Sequence, residues 1–194
     1  MKFRVLIDTN VLAPAGVHDI LLTLGSGGLF QPLWSEDILE ELSRTLDEDF
    51  GLTEDQINHR LEIMGRVFPE ASVTGYKTLI PTIDCTQVDD RHVLAAAIAG
   101  GAGAIVTDNL KDFPMNLFEL HGIEILHPDE FLEGQFGLNL PLCVQRIARI
   151  LRRWNNPKLT VPEMAIYYEE SLPQFGKALI DNQAAIEFYQ SLDN

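Results

Sequence analysis

Phe3-Arg4-Val5-Leu6-Ile7-Asp8-Thr9-Asn10 opens the chain with an apolar run that ends on a carboxylate. A run this rich in branched and aromatic side chains predicts a strand buried in a sheet, the kind that parallel sheets covered by helices contain. Asp8, Thr9 and Asn10 then fall just past the strand's C-terminal end, where open α/β sheets place their chemistry.

Outward from this stretch, apolar runs and helical periods alternate through residue 133, as βαβ units do. Residues 19–24 are expected to be helical and to stop at Gly25-Ser26-Gly27-Gly28. Residues 29–34 predict a short strand, with Pro32 marking it as an edge or irregular one. Ser35 suits the N-cap of a helix over 36–46 whose buried stripe is Ile38, Leu39, Leu42 and Leu46. Glu40 points away from that stripe, whereas Glu41 lies about 60° from its edge and can reach inward. Thr53-Glu54-Asp55-Gln56 has the form of a capping box, with Ile57, Leu61 and Met64 on the core face that follows.

A further helix is expected from near Asp89, burying Val93, Leu94, Ala97 and Ile98. Asp90 stands one turn ahead of Leu94 on that same side, an odd place for a charge unless something binds it. Residues 104–107 and 123–126 predict the remaining strands, and Asp108, Asn109 and Asp112 occupy the loop after the first of them. Residues 134–139 are expected as a linker. That divides the chain into an α/β unit over 1–134 and a helical C-terminal extension over 135–194. In the extension Val144, Ile147, Leu151 and Trp154 line one helix face and Arg146, Arg149, Arg152 and Arg153 the other; 160–192 adds one or two helices.

The chain has 194 residues, 46% of them hydrophobic, enough for a packed core. Twenty-nine acids against fourteen bases give a net charge of −15, which by itself argues against a polyanionic partner. The excess is uneven: residues 1–134 hold 23 acids and 8 bases, whereas 135–194 hold 6 of each. Cys85 and Cys143 have neither metal-ligand nor disulfide-framework spacing, so they predict small core residues in a reducing compartment. The apolar stretch 93–106 is shorter than the roughly 18 residues of a membrane span. A cytoplasmic protein without membrane contact is the expectation.

Asp8, Glu41, Asp90 and the pair Asp108 and Asp112 would repel one another if they converged. Two like charges about 4 Å apart cost roughly 4 kcal/mol at an effective dielectric near 20. A bound cation makes such a cluster tolerable. Magnesium and manganese take hard oxygen ligands, polarise a phosphoryl oxygen and activate water, which suits phosphodiester hydrolysis.

Four blocks together resemble the motifs of PIN-domain nucleases, in order and spacing. They are Leu6-Ile7-Asp8-Thr9-Asn10, the segment from Ser35 through Glu41 to Leu42, Asp89-Asp90-Arg91-His92-Val93-Leu94, and Thr107-Asp108-Asn109-Leu110-Lys111-Asp112-Phe113-Pro114. The branch they resemble is the VapC-type toxins of bacterial toxin–antitoxin pairs, some of which carry a helical extension. The resemblance implies a three-layer α/β/α fold around a central parallel sheet. It implies an endoribonuclease dependent on Mg2+ or Mn2+, an RNA substrate, a cognate antitoxin and a homodimer. By position it makes Asp8 and Asp90 metal ligands and Glu41 the second acid. The usual fourth aspartate aligns with Asn109, which leaves Asp112 as the preferred carboxylate, Asp108 as a spare and one- or two-metal chemistry open. Asn10, Thr107 and Asn109 would orient ligands or substrate, and Asp89 is a further candidate. Arg146, Arg149 and Arg153 could meet RNA or an acidic antitoxin segment.

Plainer explanations accompany each residue. Asp8 could be a turn former, Glu41 a surface acid, Asp90 and Asp89 helix-start charges, the arginine row a solvated face, and His92 and His121 structural or surface residues. Two rival functions follow. A haloacid dehalogenase-like phosphatase is approximated by Asp8-Thr9-Asn10-Val11, although its general acid would be Asn10. A catalytically silent PIN-like module would only bind a partner.

Overall fold

The computed structural model describes residues 2–83, 90–113, 120–154 and 158–192. Cys85 and Asp89 therefore lie outside the described residues. Contacts divide the chain into two compact units, one of residues 1–18 and 30–127, the other of residues 19–29 and 128–194.

In the first unit the opening run forms β1, Arg4–Ile7, with Val5, Leu6 and Ile7 fully buried. Strands β2 (Gln31–Ser35), β3 (Ser72–Val73), β4 (Ala104–Val106) and β5 (Glu124–Leu126) join it in the order β3-β2-β1-β4-β5, every pairing parallel. From β1 the chain passes to β2 on one side, and β4 returns on the other. The C-terminal ends of β1 and β4 thus flank the switch point of the sheet, the position at which open α/β sheets bind their ligands.

Pro32 predicts an edge or irregular strand, and β2 lies inside the sheet. The register explains how. Gln31 N–H donates to Phe3 of the β1 side at 2.8 Å, and Trp34 N–H donates to Ala71 on the β3 side at 3.0 Å. Backbone donors alternate along a strand, so position 32 faces β3, whose pairing begins only at Trp34. The missing N–H of Pro32 falls where β3 does not reach.

Helices alternate with the strands along the chain. A short α1 (Thr9–Leu12) precedes α2 (Ala15–Ser26), which begins four residues earlier than its apolar pattern predicts, directly after Pro14. Ser35 caps α3 (Glu36–Glu48), accepting from Ile38 N–H at 3.2 Å, and Thr53 with Gln56 completes the capping box of α4 (Glu54–Val67). Helix α5 (Arg91–Gly100) buries Ala95 and Ala96 as well as Val93, Leu94 and Ala97, because small side chains let it pack closely on more than one face. It ends at Gly101, whose φ of 61° is left-handed and favours glycine.

In the second unit, the segment 134–139 is not a linker. It lies within α6, Pro128–Arg153, whose Phe131, Leu132, Gln135 and Phe136 are buried. Only Asn139 leaves helical geometry, at φ −154° and ψ 75°, and its Oδ1 accepts from Leu142 N–H at 3.2 Å. Asn139 is therefore an N-cap that restarts the helix and places Pro141 in the first turn, where its missing N–H costs little. Helices α7 (Val161–Tyr167), α8 (Pro173–Asp181) and α9 (Gln183–Ser191) complete the unit. Buried Asp129 holds the start of α8, accepting from Gln174 N–H at 3.1 Å and Phe175 N–H at 2.8 Å.

His18 gives the first unit a pH dependence. Its Nδ1 is shielded from solvent without a hydrogen-bond partner, and burial beside the Arg60 guanidinium pushes its pKa from 6.5 down to about 3. Below pH 6.5 the unfolded chain takes up a proton that the folded chain refuses until about pH 3. Stability is thus complete above that window and falls as pH drops through it, by at most about 1.4 kcal/mol per pH unit. Urea midpoints at successive pH values should fall more steeply for the wild type than for His18→Gln. Parallel slopes would refute this origin.

Candidate active site

Asp8 begins the site. It lies just past β1, is only 7% exposed, and its backbone N–H pairs with Val106 of β4 at 3.0 Å. Its two oxygens are held separately: Oδ1 accepts from Thr9 N–H at 2.8 Å, and Oδ2 accepts from the hydroxyl of Thr107 at 2.7 Å and from Nδ2 of Asn10 at 3.1 Å. Burial raises its pKa, and the nearby charge of Glu41 raises it further, while the bonds from Thr107 and Thr9 work the other way. Three donors thus steady a carboxylate that its surroundings otherwise disfavour.

Thr107 and Asn10 knit β4 to β1. Thr107 is fully buried at the end of β4, and its hydroxyl accepts from Asn10 Nδ2 at 3.2 Å and from Asn109 N–H at 3.1 Å. Asn10 Oδ1 accepts from Asp108 N–H at 3.2 Å. The amide of Asn10 is therefore committed to structure, which counts against the phosphatase reading that needed an acid there. Asn109 enters through its backbone; no hydrogen bond of its side chain is seen among the described residues.

Glu41 arrives from the second turn of α3 and does reach inward. Thr9 Oγ1 stands 3.0 Å from its Oε2 and 3.3 Å from the Ile38 carbonyl, so one hydroxyl proton is shared between two acceptors. His92 Nε2 stands 3.4 Å from Glu41 Oε1. The hydrogen bond from His92 holds Glu41 below the usual carboxylate range. Burial works against a charge on His92, but Glu41, with Asp37 and Asp8 behind it, outweighs burial and raises its pKa. The two shifts agree on an ion pair.

Asp90 occupies the N-cap position of α5, yet its side chain caps nothing. Burial raises its pKa first, then the charges of Asp8, Asp112 and Glu41. Asp90 is thus within electrostatic reach of three other carboxylates. Asp112 comes from the 3-10 turn Leu110–Asp112. Asp108 turns elsewhere, 3.2 Å from His127 Nε2. Arg146, Arg149 and Arg153 belong to the second unit.

The donor set is all oxygen, as a hard divalent cation requires, and the mutual charge on Asp90 is what such a cation relieves. Among the described residues, however, no three Asp, Glu, His or Cys side chains are drawn close enough to enclose an ion. Asp8, Asp90 and Asp112 fit an ion in their chemistry but do not form a closed cage.

A model of the PIN domain matches residues 4–111, more than half of the chain. The chain belongs to the PIN-domain family. A second model, of the VapC50 C-terminal domain, matches residues 128–180. A similar protein of Mycobacterium tuberculosis (strain ATCC 25618 / H37Rv), named Putative ribonuclease VapC50, is 37% identical over 101 residues, 52% of this chain and 59% of that relative. The PIN match contains Asp8, Glu41, Asp90 and Thr107 and ends one residue before Asp112.

Two histidines take roles that the sequence does not announce. His92 reads there as structural, and no spacing relates it to Glu41 because the pairing is made across two helices. His127 has a usable signal: it follows β5 at the same sheet edge as Asp8 follows β1. His121 is exposed, as expected.

Proposed function

We propose that the protein is a metal-dependent endoribonuclease of the VapC type, the toxin of a toxin–antitoxin pair, acting in the cytoplasm as a homodimer that a cognate antitoxin silences. The observation that carries the reaction class is Asp90, its pKa raised by burial and by three neighbouring carboxylates in a crevice where, among the described residues, His92 is the base that offsets them. The name of the mycobacterial relative supports RNA as the substrate.

Asp8, Asp90 and Asp112 would hold Mg2+ or Mn2+. When bound, the ion supplies Lewis acidity toward a phosphoryl oxygen and an acidified water. The chain's own residues prepare the place. Thr107, Asn10 and the Thr9 N–H fix both oxygens of Asp8, and His92 orients Glu41 so that one of its oxygens faces Thr9. Glu41, kept ionised by His92, can accept a proton from a water at the crevice.

Purified protein should cleave single-stranded RNA in Mn2+ or Mg2+ and stop when EDTA is added. Calorimetric titration with Mn2+ should show binding that Asp90→Asn weakens at least tenfold. Cleavage undiminished by EDTA would reject the metal reading; Mn2+ binding without cleavage would favour the silent module.

A further inference from the structure

The second unit carries a cavity of about 480 Å³ lined by Arg146, Arg149, Arg152 and Arg153 of α6 and by Tyr189 of α9. At 100° per residue these four arginines span about 120° of the helix, opposite the buried Val144, Ile147 and Leu151. Their charges are unequally answered. Arg153 donates to Asp19 Oδ1 at 2.8 Å and Thr23 Oγ1 at 3.0 Å, and Arg152 donates to the Tyr189 carbonyl at 2.8 Å. Arg146 and Arg149 have no acidic partner among the described residues. The Arg146 Nε is shielded from solvent and lacks an acceptor.

A shielded donor left unsatisfied is destabilising, and like charges on one helix face repel. An anion in the cavity relieves the repulsion among these guanidinium groups. Gly27 makes room for this arrangement: a Cβ there would stand 2.7 Å from Arg146 Nε.

The geometry points to this cavity as a binding site for the phosphodiester backbone of the RNA substrate, a step that rests on the ribonuclease reading and deepens it. Residues 1–134, which include the candidate site, carry 23 acids and 8 bases and so repel a polyanion at long range. Affinity for RNA has to come from elsewhere, and four of the chain's fourteen bases line this one cavity. A guanidinium fork matches two phosphate oxygens, and the half-buried Tyr189 in the lining is an aromatic side chain of the kind on which bases stack.

The test is fluorescence anisotropy of the full chain with a short labelled single-stranded RNA of mixed sequence, in EDTA so that nothing is cut. Arg149→Gln, an exposed position that leaves the core untouched, should weaken binding severalfold, and Arg146→Gln with Arg149→Gln at least tenfold. The slope of log affinity against log salt should fall by about 0.7 for each phosphate that is no longer neutralised. Hydrolysis of a dinucleotide in Mn2+ should be unchanged in both variants. If the wild type cuts nothing while the arginine-dependent binding persists, the ribonuclease reading goes and the phosphate site stands. Unchanged affinity and salt slope in both variants would overturn the site. So would unchanged RNA binding alongside abolished binding of polyglutamate, which would make the cavity a receptor for an acidic peptide.

Discussion

Asp8→Asn is expected to abolish RNA cleavage while leaving the protein folded. The substitution keeps the shape of the side chain and removes its charge, and with it the most deeply buried of the grouped carboxylates. A fall of about 10³-fold or more corresponds to about 4 kcal/mol of transition-state stabilisation removed. Stability should move little, because two effects oppose. Relief of a buried charge favours the variant, whereas one of the three donors from Thr9, Thr107 and Asn10 is left without its acceptor. Steady-state cleavage together with a thermal melt separates the two readouts. Near wild-type turnover would reject Asp8 as a ligand; abolished turnover with a collapsed melting transition would show only that the crevice needs the charge to fold.

Phe175→Ala should unfold the helical unit more readily, by about 3–5 kcal/mol, the usual cost of removing a buried aromatic ring. Phe175 is fully buried at the start of α8, with ring centroids 5.7 Å from Tyr168 and 6.1 Å from Phe136 in edge-on contact. It joins α6, α7 and α8 at one point, and its N–H is fixed by Asp129. Alanine leaves a cavity that Tyr168 cannot readily fill, since that ring is itself hemmed in beside Tyr167 at 4.8 Å. Urea unfolding followed by circular dichroism should show a lowered midpoint, with Phe175→Leu in between. A destabilisation below about 1 kcal/mol would mean that this ring cluster does not hold the unit together.

Much of the fold is legible because its signals are local. An apolar run closed by Asp8, the N-cap at Ser35 and the capping box at Thr53 each act within a few residues, and each forms as predicted. The linker reading of 134–139 fails for a physical reason. Gly134 and Gly137 weaken a helix, but burial of Phe131, Leu132 and Phe136 on either side outweighs about 1 kcal/mol per glycine. Pro32 leaves an edge and an irregular strand both open, since its tolerance depends on where β3 begins pairing.

For the site, the sequence alone determined the acids and the oxygen-rich chemistry they imply: carboxylates at strand ends and helix starts declare themselves by position. Only the tertiary structure decided which of them influence one another. Asp90 feels Asp8, Asp112 and Glu41, whereas Asp108 turns to His127. Tertiary structure also enlisted His92 for Glu41 and bound Thr107 to Asp8 across 99 residues. Electrostatic and hydrogen-bonding partners depend on distance in space, and a parallel sheet brings together the ends of strands that the chain keeps far apart.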